Sequence, residues 1–240
     1  MTPGELGALL GMPPIPRGTW AEEALYVSPA ALRRGADPAE TAARLRALPG
    51  VAAVRVRADG FLEIVVAVPG ELLEEIGPPG TGTAPAAGPV AAPATGSAAV
   101  PAGGPVPAPP WSDRPRTWAN PGFAVRYAHV RAAAVQRWAA ELGVGGAFRP
   151  ELLDGRWDRA VLRLLAELPG RRASRDPGWA AYAEQLALAY HDAFERAAPL
   201  PSGDEEPSPL HAARVRLARA VRDVLAGALA ELGTTAPDRL

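Results

Sequence analysis

The sequence predicts a small α+β domain joined by a Pro/Ala/Gly-rich linker to an all-α helical bundle. Residues 1–76 combine short helix signals with one β-hairpin pattern, and residues 111–240 show helical periodicity throughout. Residues 77–110 between them contain only Gly, Pro, Ala, Val, Thr and Ser. A segment of this composition cannot bury enough apolar surface to offset the entropy lost on ordering. We therefore expect residues 77–110 to be a disordered, semi-extended linker between two domains.

The elements of the first domain follow from local signals, because residues 1–27 are interrupted by Gly and Pro and give only a weak pattern. An alternating segment, a turn signal at Asp59-Gly60 and a second apolar segment predict a β-hairpin. Ser and Asp residues followed by Pro mark helix starts. The predicted helices begin at Ser28-Pro29, Asp37-Pro38 and Glu71, and the predicted strands span residues 51–57 and 61–68.

Four amphipathic helices are predicted in the second domain, and each has one apolar face. Three of them begin with a capping residue followed by Pro, which presets the helical φ angle and loses no hydrogen bond at the first helical position. Helices with one apolar face each predict a bundle. The predicted helices span residues 121–142, residues 151–168, a segment starting at Asp176-Pro177, and residues 209–233 after the cap Ser208.

Composition excludes several classes of protein. Cysteine is absent, so neither disulfides nor thiolate metal sites can form. No segment is long and apolar enough to span a bilayer, and residues 1–16 lack the pattern of a signal peptide. All 25 basic residues are arginine and the net charge is −1, which argues against a general polyanion binder. We expect a cytoplasmic protein, with any nucleic-acid contact confined to a local patch.

The helix that opens the second domain places arginine next to apolar residues. At about 100° per residue, the side chains of its predicted apolar stripe are Phe123, Tyr127, Val130, Ala134 and Trp138. Arg131 borders this stripe beside Tyr127, Arg126 lies at the opposite edge, and His129 is expected to point away. An amphipathic helix does not require an arginine in this position, so the pair needs a structural or functional explanation.

These residues resemble a known family. The pattern Asn-Pro-x-Phe-x-Val-x-Tyr-Ala-His-x-Arg at 120–131 resembles the opening of the anticodon-binding domain of arginyl-tRNA synthetase. The resemblance continues through residues 182–194, residues 213–217 and the tail from Gly233 to Leu240, in the order and at the spacing of the family. Residues 26–64 are similar, more loosely, to the end of the N-terminal additional domain of that enzyme.

The resemblance implies that a catalytic domain is missing. In the synthetase a Rossmann domain lies between these two parts, whereas here the position is taken by residues 77–110, as a spacer or as a low-complexity insertion. Activation by that class of enzyme uses a His-Ile-Gly-His type signature and a lysine-containing loop to stabilise charge on ATP phosphates. This sequence contains neither. We therefore expect no enzyme activity, no cofactor and no metal.

For the site residues, the resemblance leaves two alternatives open. Tyr127 and Arg131 would be a stacking surface and a guanidinium fork for anticodon bases, or a core tyrosine beside an arginine paired with an acid. Arg126 and His129 are candidates for phosphate contacts. The terminal residues Asp238, Arg239 and Leu240 match a tail that approaches the anticodon in the family, with Leu in place of the usual Met.

Other charged residues are expected to be structural. Arg214 lies on an apolar stripe, which predicts a partner among interior acids or carbonyls rather than RNA. Adjacent His191 and Asp192 point about 100° apart on a helix and do not form a catalytic pair. The first domain carries Arg33, Arg34, Arg55 and Arg57, which would contact the outer corner of a tRNA or form solvated faces; its net acidity favours the second alternative.

The sequence therefore predicts a non-catalytic, tRNA-binding protein derived from arginyl-tRNA synthetase. The expected partner is the anticodon stem-loop of an arginine tRNA, with no membrane and no DNA partner. The alternative is a protein-interaction or regulatory module that has kept the fold and lost RNA binding. Such a module would pair with the full-length synthetase or with a regulatory protein.

Overall fold

A computed structural model of the chain describes residues 1–77, 111–237, 239 and 240. The predicted linker, apart from Gly77, lies outside the described residues, and so does Asp238. Across the described part of the chain, no helix combines the length and the apolar character needed to cross a membrane. The predicted fold class is confirmed: a four-stranded sheet with short helices is followed by a domain made of helices.

The N-terminal sheet is antiparallel throughout, with the strand order β1-β2-β4-β3. The central strands pair Tyr26 with Ile64, and both side chains are almost fully buried. The strands are β1 (Ile15–Arg17), β2 (Ala24–Ser28), β3 (Val51–Val56) and β4 (Leu62–Val66). The helices of this region are α1 (Pro3–Leu10), α2 (Ala30–Arg33), α3 (Pro38–Arg46) and a 3₁₀ helix (Pro69–Glu74).

The β3–β4 hairpin and helix α3 agree with the sequence prediction. Gly60 has a φ angle of 79°, and the Phe61 amide donates to the Asp59 carboxylate at 3.1 Å, as the turn signal requires. Elements α1, β1 and β2 were not identified from the sequence, because Gly and Pro interrupt the periodicity there. A local signal for α1 exists nevertheless, since Thr2 and Glu5 form a reciprocal capping box.

The helical domain contains α4 (Pro121–Glu141), a 3₁₀ helix (Pro150–Leu152), α5 (Arg156–Leu165), α6 (Leu168–Arg172), α7 (Trp179–Arg196) and α8 (Pro209–Glu231). The predicted caps of α4 and α8 are confirmed. The Asn120 side chain accepts from the Gly122 amide at 3.0 Å, and Ser208 forms a capping box with His211.

Two helix predictions in this domain were wrong. Residues 151–168 do not form one helix, because Gly155 caps α5 and Pro169 cannot donate a hydrogen bond back into it; the segment is divided into a 3₁₀ helix, α5 and the start of α6. Helix α7 is capped by Gly178, with a φ angle of 59°, and not by Asp176.

The buried face of α4 also differs from the predicted stripe. Ala128, Ala132 and Val135 have no exposed surface, whereas Trp138 is 45% exposed. Helices α4 and α8 run antiparallel, since Arg126 reaches Thr234 near the end of the chain and Gln136 donates to the carbonyl of Val215. Small side chains let these helices approach closely, which moves the aromatic residues to the border of the interface.

The sheet region packs directly on the helical domain, and one apolar core includes residues from both. The Arg159 guanidinium donates to the carbonyl of Glu22, and that of Arg163 to the carbonyl of Gly18, each at 2.9 Å. The two 3₁₀ helices also touch, with Gly70 against the backbone of Pro150. The division into domains at residues 77–110 stays a prediction.

Candidate nucleic-acid interface

Three aromatic rings lie in a row at the start of α4. Phe123 and Tyr127 are one helical turn apart, so their rings meet, with centroids 5.7 Å apart at 37°. His191 of α7 continues the row, with its centroid 5.4 Å from that of Tyr127 at 35°. Phe123 and Tyr127 are only partly buried. The row therefore presents an aromatic surface at the edge of the α4–α7 contact.

Trp118 covers this row from the loop that precedes α4. Its ring lies edge-to-face with Phe123 (5.9 Å), Tyr127 (5.3 Å) and His191 (4.6 Å), and 57% of the residue is exposed. We refer to Trp118, Phe123, Tyr127 and His191 as the ring cluster. Sequence reasoning missed Trp118, because a residue outside a helix has no periodicity; its only signal is its place two residues before the Asn120 cap.

The Asn120 side chain fixes the loop that carries Trp118. Its amide nitrogen donates to the carbonyl of Ser112 at 3.0 Å and to that of Pro115 at 2.9 Å, while its oxygen caps α4. One side chain thus holds both the helix start and the preceding loop. The position of Trp118 relative to the helix is therefore defined by hydrogen bonds and not by apolar contact alone.

Arg131 closes the cluster on the side of α7 and is 18% exposed. Its guanidinium donates to the Glu195 carboxylate at 2.7 Å and to the Tyr127 hydroxyl at 3.0 Å. The same group lies 4.8 Å from the ring centroid of Tyr127 and 4.3 Å from that of Phe194. Cation–π contacts and a charge-assisted hydrogen bond together fix this fork. The pairing with an acid corresponds to the structural alternative from the sequence.

Arg126 and His129 hold the C-terminal tail instead of projecting into solvent. Arg126 donates to the carbonyls of Trp111 and Gly122 and to the Thr234 hydroxyl, the last at 2.6 Å. The Nδ1 atom of His129 lies 3.1 Å from the carbonyl oxygen of Pro237. His129, predicted to point away from the stripe of Phe123 and Tyr127, is 6% exposed, because the returning tail covers it.

The structure thus brings most of the predicted site residues to one end of the helical domain. Tyr127 and Arg131 lie toward α7, and Arg126 and His129 lie toward the tail. Arg239 and Leu240, just beyond the anchored Pro237, are exposed. The predicted Asp238 lies outside the described residues. Arg126 links the loop before α4 to the tail, so these two segments flank the same helix start.

Comparison with known proteins identifies this region. The family model for the DALR anticodon binding domain matches residues 125–240. Residues 125–240 are therefore a DALR anticodon-binding domain. The arginine–tRNA ligase of Clavibacter sepedonicus is 44% identical to the chain over 131 residues, which cover 52% of this chain and 24% of that ligase. The chain is therefore related to arginyl-tRNA synthetase and spans about a quarter of the length of this curated relative.

Within the DALR domain, Arg214 has the structural role that was predicted for it. Its guanidinium forms two 3.2 Å hydrogen bonds with the carboxylate of Asp158, which is 2% exposed, and donates to the carbonyl of Ala198 at 3.1 Å. Burial is the largest influence on Asp158 and raises its pKa, although Arg214 acts in the opposite direction. This pair joins α8 to the start of α5, away from the ring cluster.

The arginines of the sheet region are mostly engaged with the protein itself. Arg55 pairs with Glu23 at 2.6 Å and Arg57 with Asp59 at 3.0 Å, while Arg34 donates to the carbonyl of Leu9 at 2.9 Å. Arg33 is exposed. Within the described residues, no group of three or more His, Asp or Glu side chains lies close enough together to hold a metal ion.

Burial determines the protonation of His191 in the ring cluster. Removal from water is the largest influence and lowers the pKa of the imidazole; the hydrogen bond to the Ala124 carbonyl opposes it, and the positive charge of Arg131 acts in the same direction as burial. His191 is therefore neutral at neutral pH. The surface of the cluster then consists of uncharged rings, with the ion pair of Arg131 and Glu195 at its border.

Proposed function

We propose that this protein binds tRNA through its DALR domain and contacts the anticodon stem-loop of an arginine tRNA. The observation that carries the proposal is the ring cluster beside Arg131 and the anchored tail, in a domain that matches an anticodon-binding family. Proteins read single-stranded RNA loops by stacking unpaired bases on aromatic rings and arginine planes. The proposed contacts are Tyr127, Arg131, Asp238, Arg239 and Leu240, while Arg126 and His129, the sequence candidates for phosphate contacts, position the tail.

Glu195 gives a route by which Arg131 changes partners. Its side chain is 63% exposed, so it can turn into solvent while the guanidinium stays stacked between Tyr127 and Phe194. An RNA phosphate then replaces the carboxylate as the acceptor, and the Tyr127 hydrogen bond keeps the fork oriented. Binding in this form needs one local charge rather than a basic surface, which agrees with the net charge of −1.

We further propose that this chain does not itself charge the tRNA. The 240 residues contain no lysine and only three histidines, none of them in a His-Ile-Gly-His type signature. The matched family covers the anticodon-binding region alone. A role in which the protein supports the synthetase, or competes with it for tRNA, then fits better than aminoacylation.

Filter binding at low salt tests the proposal, with arginine tRNA, other tRNAs and a stem duplex as ligands. Arginine tRNA should bind best, and Arg131→Ala should weaken it roughly tenfold, as expected for loss of one charge-assisted contact. Removing residues 238–240 should weaken binding more than Arg219→Ala, the control at an exposed arginine outside the cluster. Absence of binding at about 100 μM protein, where non-specific binders already show, would refute the proposal.

One observation favours a second function, that of a protein-interaction module. The guanidiniums of Arg126 and Arg131 both form internal hydrogen bonds, as expected if the fold is kept and RNA readout is lost. Pull-down from native cells with and without nuclease separates the two functions. A complex with the synthetase or a regulatory protein that survives nuclease would favour this alternative, and one that falls apart would favour tRNA binding.

A further inference from the structure

Trp118 lies outside the segment that matches the DALR family and is the most exposed of the large apolar side chains in the described part of the chain. An exposed tryptophan usually gains by burying more of its surface. Here the loop is fixed by Asn120, and the indole contacts the ring cluster only in edge-to-face geometry. More than half of its surface stays available for a flat, aromatic ligand.

His191, beneath Trp118, has unused hydrogen-bonding capacity. Its Nε2 atom lies 3.4 Å from the carbonyl oxygen of Ala124, which can only accept, so Nε2 carries the proton. The Nδ1 atom is then an acceptor, and it is buried without a hydrogen-bond partner among the described residues. A buried polar atom without a partner is costly and calls for an explanation.

Of the other rings in the cluster, the indole of Trp118 lies nearest to the imidazole that carries this atom. The ring centroids of Trp118 and His191 are 4.6 Å apart, the shortest of the three contacts that Trp118 makes in the cluster. Because Trp118 precedes the helix and is largely exposed, a rotation of its side chain disturbs no helical hydrogen bond. A shift of this ring would make room for a flat ligand beside Tyr127 and His191, the two rings that Trp118 now contacts.

We propose that Trp118, Tyr127 and His191 form a subsite for one unpaired nucleobase. The base stacks on Trp118, and an amino or imino N–H on its edge donates to Nδ1 of His191. The subsite rests on the proposed function, and it adds a stacking residue from outside the matched domain and a hydrogen bond that reads the base edge. A base with an N–H group on its edge gives Nδ1 of His191 a hydrogen-bond donor, whereas without a base this atom has no partner among the described residues.

The test compares two RNA probes, the anticodon stem-loop of an arginine tRNA and the same stem as an uninterrupted duplex. Trp118→Ala should weaken stem-loop binding about tenfold to a hundredfold, the usual effect of losing one base–aromatic stack, and leave duplex binding within about twofold. Trp118→Phe should retain most of the affinity. The matched control is Trp138→Ala, at a similarly exposed tryptophan of α4, and it should bind both probes like the wild type.

Abasic substitutions in the loop locate the base and test His191. At one loop position, removing the base should lower the affinity of the wild type for the stem-loop. The same abasic stem-loop should bind Trp118→Ala no more weakly than the intact stem-loop does. His191→Phe, which keeps a ring and removes the acceptor, should reduce the discrimination at that same position. Stem-loop binding by the wild type with an unchanged Trp118→Ala overturns the subsite alone. No wild-type binding of the stem-loop overturns the proposed function and the subsite together.

Discussion

The pair formed by Arg214 and Asp158 shows how much can be predicted from a single residue of a sequence. An arginine on an apolar helix face predicts a buried partner, because an uncompensated charge there would be very costly. Its identity could not be predicted, since Asp158 is 56 positions away and itself looks like an ordinary residue of a helix start. Only the packing of α5 against α8 brings the two together.

Arg214→Met should lower the free energy of unfolding by about 3–5 kcal/mol, because it leaves the Asp158 carboxylate buried without its partner. Urea denaturation followed by circular dichroism measures this change. Arg219→Ala, at an exposed position with only a 4.0 Å ion pair, should change stability by less than about 0.5 kcal/mol.

The double variant Asp158→Asn, Arg214→Met isolates the interaction. It should be clearly more stable than the sum of the two single effects predicts, because removing both charges leaves no unpaired ion in the interior. Strict additivity of the two substitutions would contradict the assigned pairing.

At the scale of elements, local signals predicted what local physics determines. Capping by Asn120 and Ser208 depends on neighbouring residues, so the starts of α4 and α8 were correct. The buried face of α4 depends on how closely α8 approaches. Helical periodicity predicted that the large side chains of α4 would face the core. In the structure the alanines of α4 face the core instead, because they let α8 pack more closely, and Trp138 is exposed.

Two glycines within helices give a matched prediction on this point. Gly227 of α8 has no heavy atom near the position of an added Cβ, so Gly227→Ala should raise the free energy of unfolding by about 0.5–1 kcal/mol through helix propensity. At Gly122 of α4 the same atom would collide with the carbonyl oxygen of Ser112, and Gly122→Ala should destabilise. Thermal unfolding measures both, and a stabilised Gly122→Ala would contradict the described loop position.

At the scale of the whole molecule, most residues of the candidate site could be predicted from the sequence, but their arrangement in space could not. Tyr127 and Arg131 were identified as a pair, and their 3.0 Å contact agrees with their spacing on the helix. The roles of Arg126 and His129 in holding the tail depend on contacts 108 residues apart, which no local pattern contains. Trp118 lies in a loop, where periodicity does not apply, and it precedes the family pattern that begins at Asn120.

The contact between the sheet region and the DALR domain leads to a last prediction, on cooperativity. The 3₁₀ helix Pro69–Glu74 meets the backbone of Pro150 at Gly70, where a Cβ would collide with a carbonyl oxygen that cannot move independently of its helix. Gly70→Val should therefore separate the surfaces and lower stability by about 1–3 kcal/mol.

The wild type should unfold in urea in one transition, because one apolar core includes both regions. Gly70→Val should unfold in two transitions. Tryptophan fluorescence reports on Trp20 of the sheet region and on the five tryptophans of the helical domain, and its unfolding curve is compared with that from far-ultraviolet circular dichroism. Gly227→Ala changes a residue of α8 that takes no part in this contact, so it should keep the single transition. A Gly70→Val variant with one transition at the wild-type midpoint would show that the two regions do not depend on this contact.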